Sequence, residues 1–162
     1  MEPVIRLAAS AEDIEAVRAM LDEYARELAI DLSFQGFGAE RDGLPGDYAP
    51  PGGCLLLADL AGAAVGCVAL RPLDARTAEM KRLYVRPGAR GTGHGRRLAL
   101  AVLAEAERAG YARVRLDTLP TMAAAIAMYR SLGFREIPPY RHNPVPGALF
   151  LERHLGPRAG ET

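Results

Sequence analysis

Apolar positions along the chain fall into two rhythms. Ile14, Val17, Leu21, Tyr24 and Leu28 recur at spacings of three and four, which places them on one face of a helix. Ser10 stands where an N-cap belongs, and Glu12 and Asp13 follow in the first turn, where the helix dipole favours anions. Ahead of that helix, Val4 to Ala8 alternates as a short strand does. Cys54–Asp59 and Ala64–Leu70 are strand-like runs joined by a short Gly-containing turn, which predicts a hairpin, and Thr77–Val85 predicts a third strand. Helical spacing returns from about Arg96 to Ala109, closed by Gly110, and from about Met122 to Ser131, closed by Gly133. Val114–Thr118 lies between these helices, and Phe134–Ile137 and Ala148–His154 complete the strands.

The order is therefore β-α-loop-β-β-β-α-β-α-β-β. One strand–glycine loop–helix–strand unit, Thr77 to Thr118, predicts a parallel pair inside a sheet that is otherwise antiparallel, an α/β (α+β) class. Gly36 to Gly53 is dense in Gly and Pro and reads as a loop or a broken helix–loop, long enough to be functional. Its semi-apolar start, Leu32 to Phe37, suits a pocket wall. Residues 156–162 read as a disordered tail, which leaves one domain over residues 1–155.

Composition narrows the partners. The 162 residues carry 20 basic and 20 acidic side chains, and 49% are hydrophobic, enough for a core without disulfides. Zero net charge argues against nucleic acid or an anionic membrane as a partner held by bulk electrostatics. The basic residues are 19 Arg and a single Lys, Lys81, which reads as compositional bias without chemistry. Cys54 and Cys67 lack metal-ligand spacing and read as buried, reduced thiols, so no metal is expected. No run reaches the roughly 18–20 apolar residues of a membrane span, and Met1-Glu2-Pro3 opens no signal peptide, so a cytoplasmic protein is expected.

The charge balance hides one uneven segment. Between Glu79 and Glu105 there is no acid, while Lys81, Arg82, Arg86, Arg90, Arg96 and Arg97 all fall there, around Gly88, Gly91, Gly93 and Gly95. Glycines let backbone N–H groups approach a ligand, and a loop opening into a helix aims unpaired amides and a positive dipole end at one place. That is an anion site, with phosphate as the natural occupant. A Walker A loop fails, because Gly93 is followed by His94-Gly95 and not by Lys-Ser/Thr. A dinucleotide fingerprint fails too: the glycines are spaced 91, 93, 95, and Tyr111 and Arg113 stand where a ribose-binding acid belongs.

What matches is Arg90-x-x-Gly93-x-Gly95 between a strand and a helix, with Ala125-x-x-x-Tyr129-x-x-x-Gly133-Phe134 downstream. These segments resemble the pyrophosphate loop and the tyrosine signature of the GNAT superfamily of acyl-CoA-dependent N-acyltransferases. The resemblance runs from about Val4 to Leu155 in the order of elements. It implies a mixed, mostly antiparallel sheet splayed between its fourth and fifth strands and flanked by helices, with acetyl-CoA as co-substrate in the splay. By the same resemblance, the amides of Gly91, Thr92, Gly93, His94, Gly95 and Arg96 hold the pyrophosphate, with Arg90 and Arg96 adding charge. The backbone of Leu83, Tyr84 and Val85 receives the pantetheine arm. Tyr129 lies beside the sulfur and protonates the departing thiolate, which a phenol of pKa about 10 can do at neutral pH. Its alternative is an ordinary core tyrosine.

Glu79 lies eleven residues before Arg90, the base-to-loop spacing of histone-type members, and is the candidate general base. Its alternatives are an ion pair with Lys81 or Arg82, an anchor for the substrate ammonium, or a site in which water alone takes the proton; Asp117 and His142 are weaker candidates. Many members carry Asn seven residues before the tyrosine; here Met122 stands there, with Thr118 and Thr121 at hand to replace it. The acceptor side is expected from Phe34, Gln35, Phe37, Tyr140, Arg141, His142 and Asn143, with Arg141 suited to a carboxylate. The expected activity is acetylation of a small-molecule or amino-acid-like amine in a ternary complex. The rivals are a non-catalytic acyl-CoA-binding regulator and a protein N-acetyltransferase, and the resemblance leaves a homodimer open.

Overall fold

Ser10 begins α1 (Ala11–Leu28) with reciprocal bonds: its hydroxyl accepts from the Asp13 amide at 3.1 Å, and Asp13 accepts from the Ser10 amide at 3.2 Å. In the computed structural model, which describes residues 2–156 apart from the Phe34 side chain, the helix is followed by α2 (Phe37–Asp42), α3 (His94–Arg108) and α4 (Ala123–Ser131). The strands are β1 (Val4–Leu7), β2 (Cys54–Leu60), β3 (Ala63–Pro72), β4 (Thr77–Val85), β5 (Arg113–Thr118), β6 (Arg135–Ile137) and β7 (Leu149–His154). They form one sheet in the order β1-β2-β3-β4-β5-β7-β6. The element order expected from the sequence is the one observed. The Gly- and Pro-rich connection holds α2 between two short 3-10 turns, Ser33–Gln35 and Gly46–Tyr48. Of the expected tail, residues 157–162 lie outside the described residues.

Alternation along the strands divides the core. Leu56, Val68, Leu70 and Met80 face α3, where Leu98, Val102, Leu103 and Ala106 are buried. Leu55, Leu57, Cys67 and Ala69 face α1 and meet Val17, Met20 and Leu21. Both cysteines are free and buried, and burial pushes each thiol up to about 12. Among the described residues no helix is long and apolar enough to cross a membrane.

Two irregularities position everything that follows. The β4–β5 pair is the sheet's parallel one and is registered over three pairs, from Thr77↔Arg113 to Glu79↔Arg115; beyond them the strands diverge. On its other edge β4 bulges: Cys67 lies opposite Tyr84 but Ala69 opposite Lys81, so Arg82 and Leu83 share Val68. Arg82 adopts the left-handed conformation, φ +61°. Its guanidinium bonds both Glu40 oxygens, at 2.9 and 2.7 Å, and lies 5.1 Å from the centre of the Phe37 ring. Glu40 also accepts from the Tyr48 hydroxyl at 2.8 Å. The long connection is thereby pinned onto the bulge.

Burial would raise the Glu40 carboxyl, but the hydrogen bonds and charge of Arg82 outweigh it and hold it below its ordinary 4.5. The folded chain then binds this proton less readily than the unfolded one. The stabilisation is complete above pH 4.5 and is lost as pH falls through the lower folded value. Glu40→Gln leaves a buried, uncompensated Arg82 and is expected to cost about 3–5 kcal/mol at neutral pH. Urea unfolding at a series of pH values checks this, because the gap from wild type should narrow in acid.

Candidate active site

The divergence of β4 from β5 opens a cleft of about 700 Å³. Leu83, Tyr84 and Val85 wall it on one side, the loop and first turn of α3 (Arg90 to Arg96) close one end, and Thr121 and Met122 just before α4, with Ala123, Ala124, Ala125 and Met128 on it, face it. Gly91 and Gly93 take left-handed conformations, φ +89° and +85°, and a Cβ at either would meet no atom within 4 Å. Glycine is needed there for the turn, and the space in front is open. α3 starts at His94 on the N-cap Gly93 with no side-chain cap, and its first backbone bond runs from Arg97 N to Gly93 O at 3.1 Å. The amides of His94, Gly95 and Arg96 therefore have no partner within the helix. His94, read from sequence as a backbone contributor, also buries its ring: Nε2 lies 3.0 Å from Thr92 Oγ1, and Nδ1 has no partner among the described residues.

The cations around this loop do not form the free positive patch that the sequence suggests. Arg82 pairs with Glu40, Arg86 with Glu23 at 2.8 Å, Arg90 with Glu27 at 2.6 Å and Arg97 with Glu2 at 3.1 Å. Glu23 and Glu27 are one turn apart on α1, so the acids missing locally arrive from another element. Arg90, expected to add charge to a phosphate, also donates to Val85 O at 2.8 Å and so ties the loop to β4 and α1. Arg96 donates to Ser131 Oγ at 2.7 Å. What the loop presents to an anion is backbone amides at a helix start.

A second cavity of about 50 Å³ lies on the α1–α2 side, lined among others by Lys81, Gln35, Asp117, Asn143 and Tyr129. Tyr24, Leu28, Leu83 and Met122 line both cavities and form the junction. Tyr129 packs edge-on against Phe134, ring centres 5.7 Å apart, and its hydroxyl has no hydrogen-bond partner among the described residues. Burial pushes that hydroxyl's pKa well up. Met122, standing where the resemblance leads one to expect Asn, accepts a hydrogen bond from Thr118 Oγ1 at its sulfur, 3.7 Å away.

Glu79 is fully buried behind this cavity. Oε1 accepts from Arg71 at 2.8 Å; Oε2 accepts from Tyr140 at 2.7 Å and from Arg141. Burial would raise its pKa, but the charge of Lys81 and the bonds from Arg141 and Tyr140 hold it below the usual carboxylate range. Tyr140 and Arg141, expected on the acceptor side, both donate to Glu79, a buried carboxylate that demands donors. Gln35 and Asn143 do line the small cavity, with Asn143 donating to Asp117 at 3.1 Å. Phe37 packs on Arg82, and the Phe34 side chain lies outside the described residues. The sequence did not single out Arg71, Tyr24 or Leu28; the last two were read as part of a helix's apolar face, and Arg71 carries no local motif.

The acetyltransferase (GNAT) family profile matches residues 15–134. An uncharacterized N-acetyltransferase of Schizosaccharomyces pombe is 39% identical over 146 residues, covering 89% of this chain and 90% of that protein. The N-acetylaspartate synthetase of Homo sapiens is 38% identical over 108 residues, 65% of this chain and 36% of that one. A GNAT superfamily phosphinothricin acetyltransferase from Sinorhizobium meliloti, solved in complex with acetyl-CoA, has a TM-score of 0.71 at 20% identity, covering 96% of this chain and 90% of that one.

Burial and the charge of Arg82 lower the Lys81 ammonium from 10.5 to about 8, against the pull of Glu79. The folded chain gives up this proton before the unfolded chain does. Between pH about 8 and 10.5 the unfolded state binds the extra proton, so the contribution of Lys81 to stability rises with pH and is least favourable below about 8. Lys81→Met removes that dependence. Urea unfolding should find the difference between wild type and Lys81→Met shifting in favour of wild type as pH rises through this window.

Proposed function

The chain belongs to the acetyltransferase (GNAT) family, and we propose that it moves the acetyl group of acetyl-CoA to the amine of a small-molecule or amino-acid-like acceptor, by direct attack with both substrates bound. The observation that carries this reading is the junction itself. A large cleft that ends in uncapped helix amides meets, at Tyr24, Leu28, Leu83 and Met122, a small polar cavity that holds Tyr129.

The residues present suit acetyl-CoA. Gly91, Thr92, Gly93, His94, Gly95 and Arg96 would hold the pyrophosphate on amides with no helical partner, and the open space before Gly91 and Gly93 admits it. The unpaired edge of β4 at Leu83, Tyr84 and Val85 would hydrogen-bond the pantetheine amides as an added strand would. When bound, acetyl-CoA supplies a thioester carbonyl open to attack. The backbone N–H near Val85 would donate to that carbonyl as its oxygen gains charge. Tyr129 holds its proton at neutral pH and passes it to the sulfur as the nitrogen releases its own, so that the phenolate, which burial disfavours, never stands alone.

Glu79 we assign to holding Arg71, Tyr140 and Arg141 behind the acceptor cavity. Its oxygens are occupied and its basicity is depressed, so the acceptor's proton passes through water entering by the cleft to the Tyr129 oxygen, as that hydroxyl's own proton goes to the sulfur.

Thiol release from acetyl-CoA with a panel of amines tests the reading. Tyr129→Phe is expected to lower kcat roughly a hundredfold or more, with the KM for acetyl-CoA within a few fold. A substitution of Gly93 by Val, which strains the turn and fills the loop, is expected to raise the KM for acetyl-CoA. If no amine raises thiol release while CoA still binds, the chain is an acyl-CoA-binding regulator and the catalytic reading fails.

A further inference from the structure

Lys81 is the single lysine of the chain, and it is buried in the wall of the small cavity, its side chain 4% exposed. An ammonium has three hydrogens to place. One goes to Gln35 Oε1 at 3.2 Å. The neighbouring carboxylate oxygen, Glu79 Oε1, is 4.0 Å away, beyond hydrogen-bond reach, and already accepts from Arg71 at 2.8 Å. The other Glu79 oxygen serves Tyr140 and Arg141. Asp117, the acid of the cavity wall, accepts from Asn143.

Four cations, Arg71, Lys81, Arg82 and Arg141, thus surround three acids, Glu40, Glu79 and Asp117, with Arg82 and Glu40 paired to each other, and Asp47 adds only an exposed contact to Arg71 at 3.9 Å. Burying a charge without a bonded counter-charge is costly, and a neutral side chain of similar length would pack here more cheaply. The arrangement makes sense if a ligand brings the missing anion. The cavity adjoins the acetyl cleft, so a group held at Lys81 lies beside the amine that attacks. A volume of about 50 Å³ suits an amine and an anion on one carbon. Gln35 also lines a further cavity of about 360 Å³ beside α2 and Arg71.

We propose that Lys81 and Gln35 form the subsite for the acceptor's carboxylate, so that the acceptor is an α-amino acid; this rests on the acetyl-transfer reading above. Arg141, the residue expected from sequence to clamp a carboxylate, is already committed to Glu79.

The test compares L-aspartate, L-methionine and L-phenylalanine, each with its own α-carboxamide, as acceptors for acetyl-CoA. The amide keeps the shape and has the less basic amine, so a preference for the acid runs against intrinsic reactivity. Wild type is expected to favour the acid in kcat/KM by roughly tenfold or more in at least one pair. Lys81→Met should erase that ratio through the KM of the acid, and Lys81→Arg, which keeps the charge, should restore part of it. Equal rates for acid and amide in every wild-type pair overturn the subsite and leave acetyl transfer standing, as does an equal loss on both in Lys81→Met. If no acceptor turns over, calorimetric titration of the CoA-loaded protein with the same pairs decides. Acid-selective binding that Lys81→Met removes supports the subsite, and unselective or absent binding overturns it.

Discussion

Arg82 holds a backbone conformation that costs a residue with a Cβ about 1–2 kcal/mol, and Glu40 holds it there through two hydrogen bonds. The left-handed residue makes the bulge, and the bulge sets two residues of β4 against one of β3. Upstream of it, Glu79 and Lys81 present their side chains on the α1–α2 side of the sheet. Downstream, Leu83 to Val85 line the cleft. Because Glu40 sits on α2, the Gly- and Pro-rich connection between α1 and β2 is part of this device. Its return is tight: a Cβ on Gly53 would come within 2.6 Å of both Asp47 O and Leu70 O.

The sheet then leaves a place for a ligand where a strand would otherwise pair. β4 and β5 share three registered pairs and separate, so backbone groups of β4 face open space. At the far end of that space the loop offers uncapped amides and a helix dipole, since its arginines are largely committed to glutamates. Neutralising the side chains while keeping the amides free favours a small, well-placed phosphate group over an extended polyanion.

Much of the fold was legible because it is written locally. The three-and-four spacing of Ile14, Val17 and Leu21, the Ser10 cap and the glycines at 110 and 133 each act within one or two turns of chain. The loop was legible for the same reason, its glycines and the helix start being contiguous. What escaped depends on residues far apart in sequence. Arg86 and Arg90 meet Glu23 and Glu27 across 63 residues, so a segment without acids is not a segment without counter-charge. A bulge carried by an arginine has no glycine to announce it. Glu79 was singled out for its position, yet whether a carboxylate is free or saturated is decided by Arg71, Tyr140 and Arg141, which only the folded sheet and a late loop bring together.

α1 is a party wall. Glu23 and Glu27 grip the arginines of the anion loop, while Tyr24 and Leu28, in the same turns, line both cavities. A rigid helix cannot adjust one of these faces and leave the other in place. Any displacement of the wall that accompanies filling of the cleft is felt in the small cavity, and by thermodynamic reciprocity filling the small cavity bears equally on the cleft. Ligands in the two cavities would then sense each other's presence through a single helix.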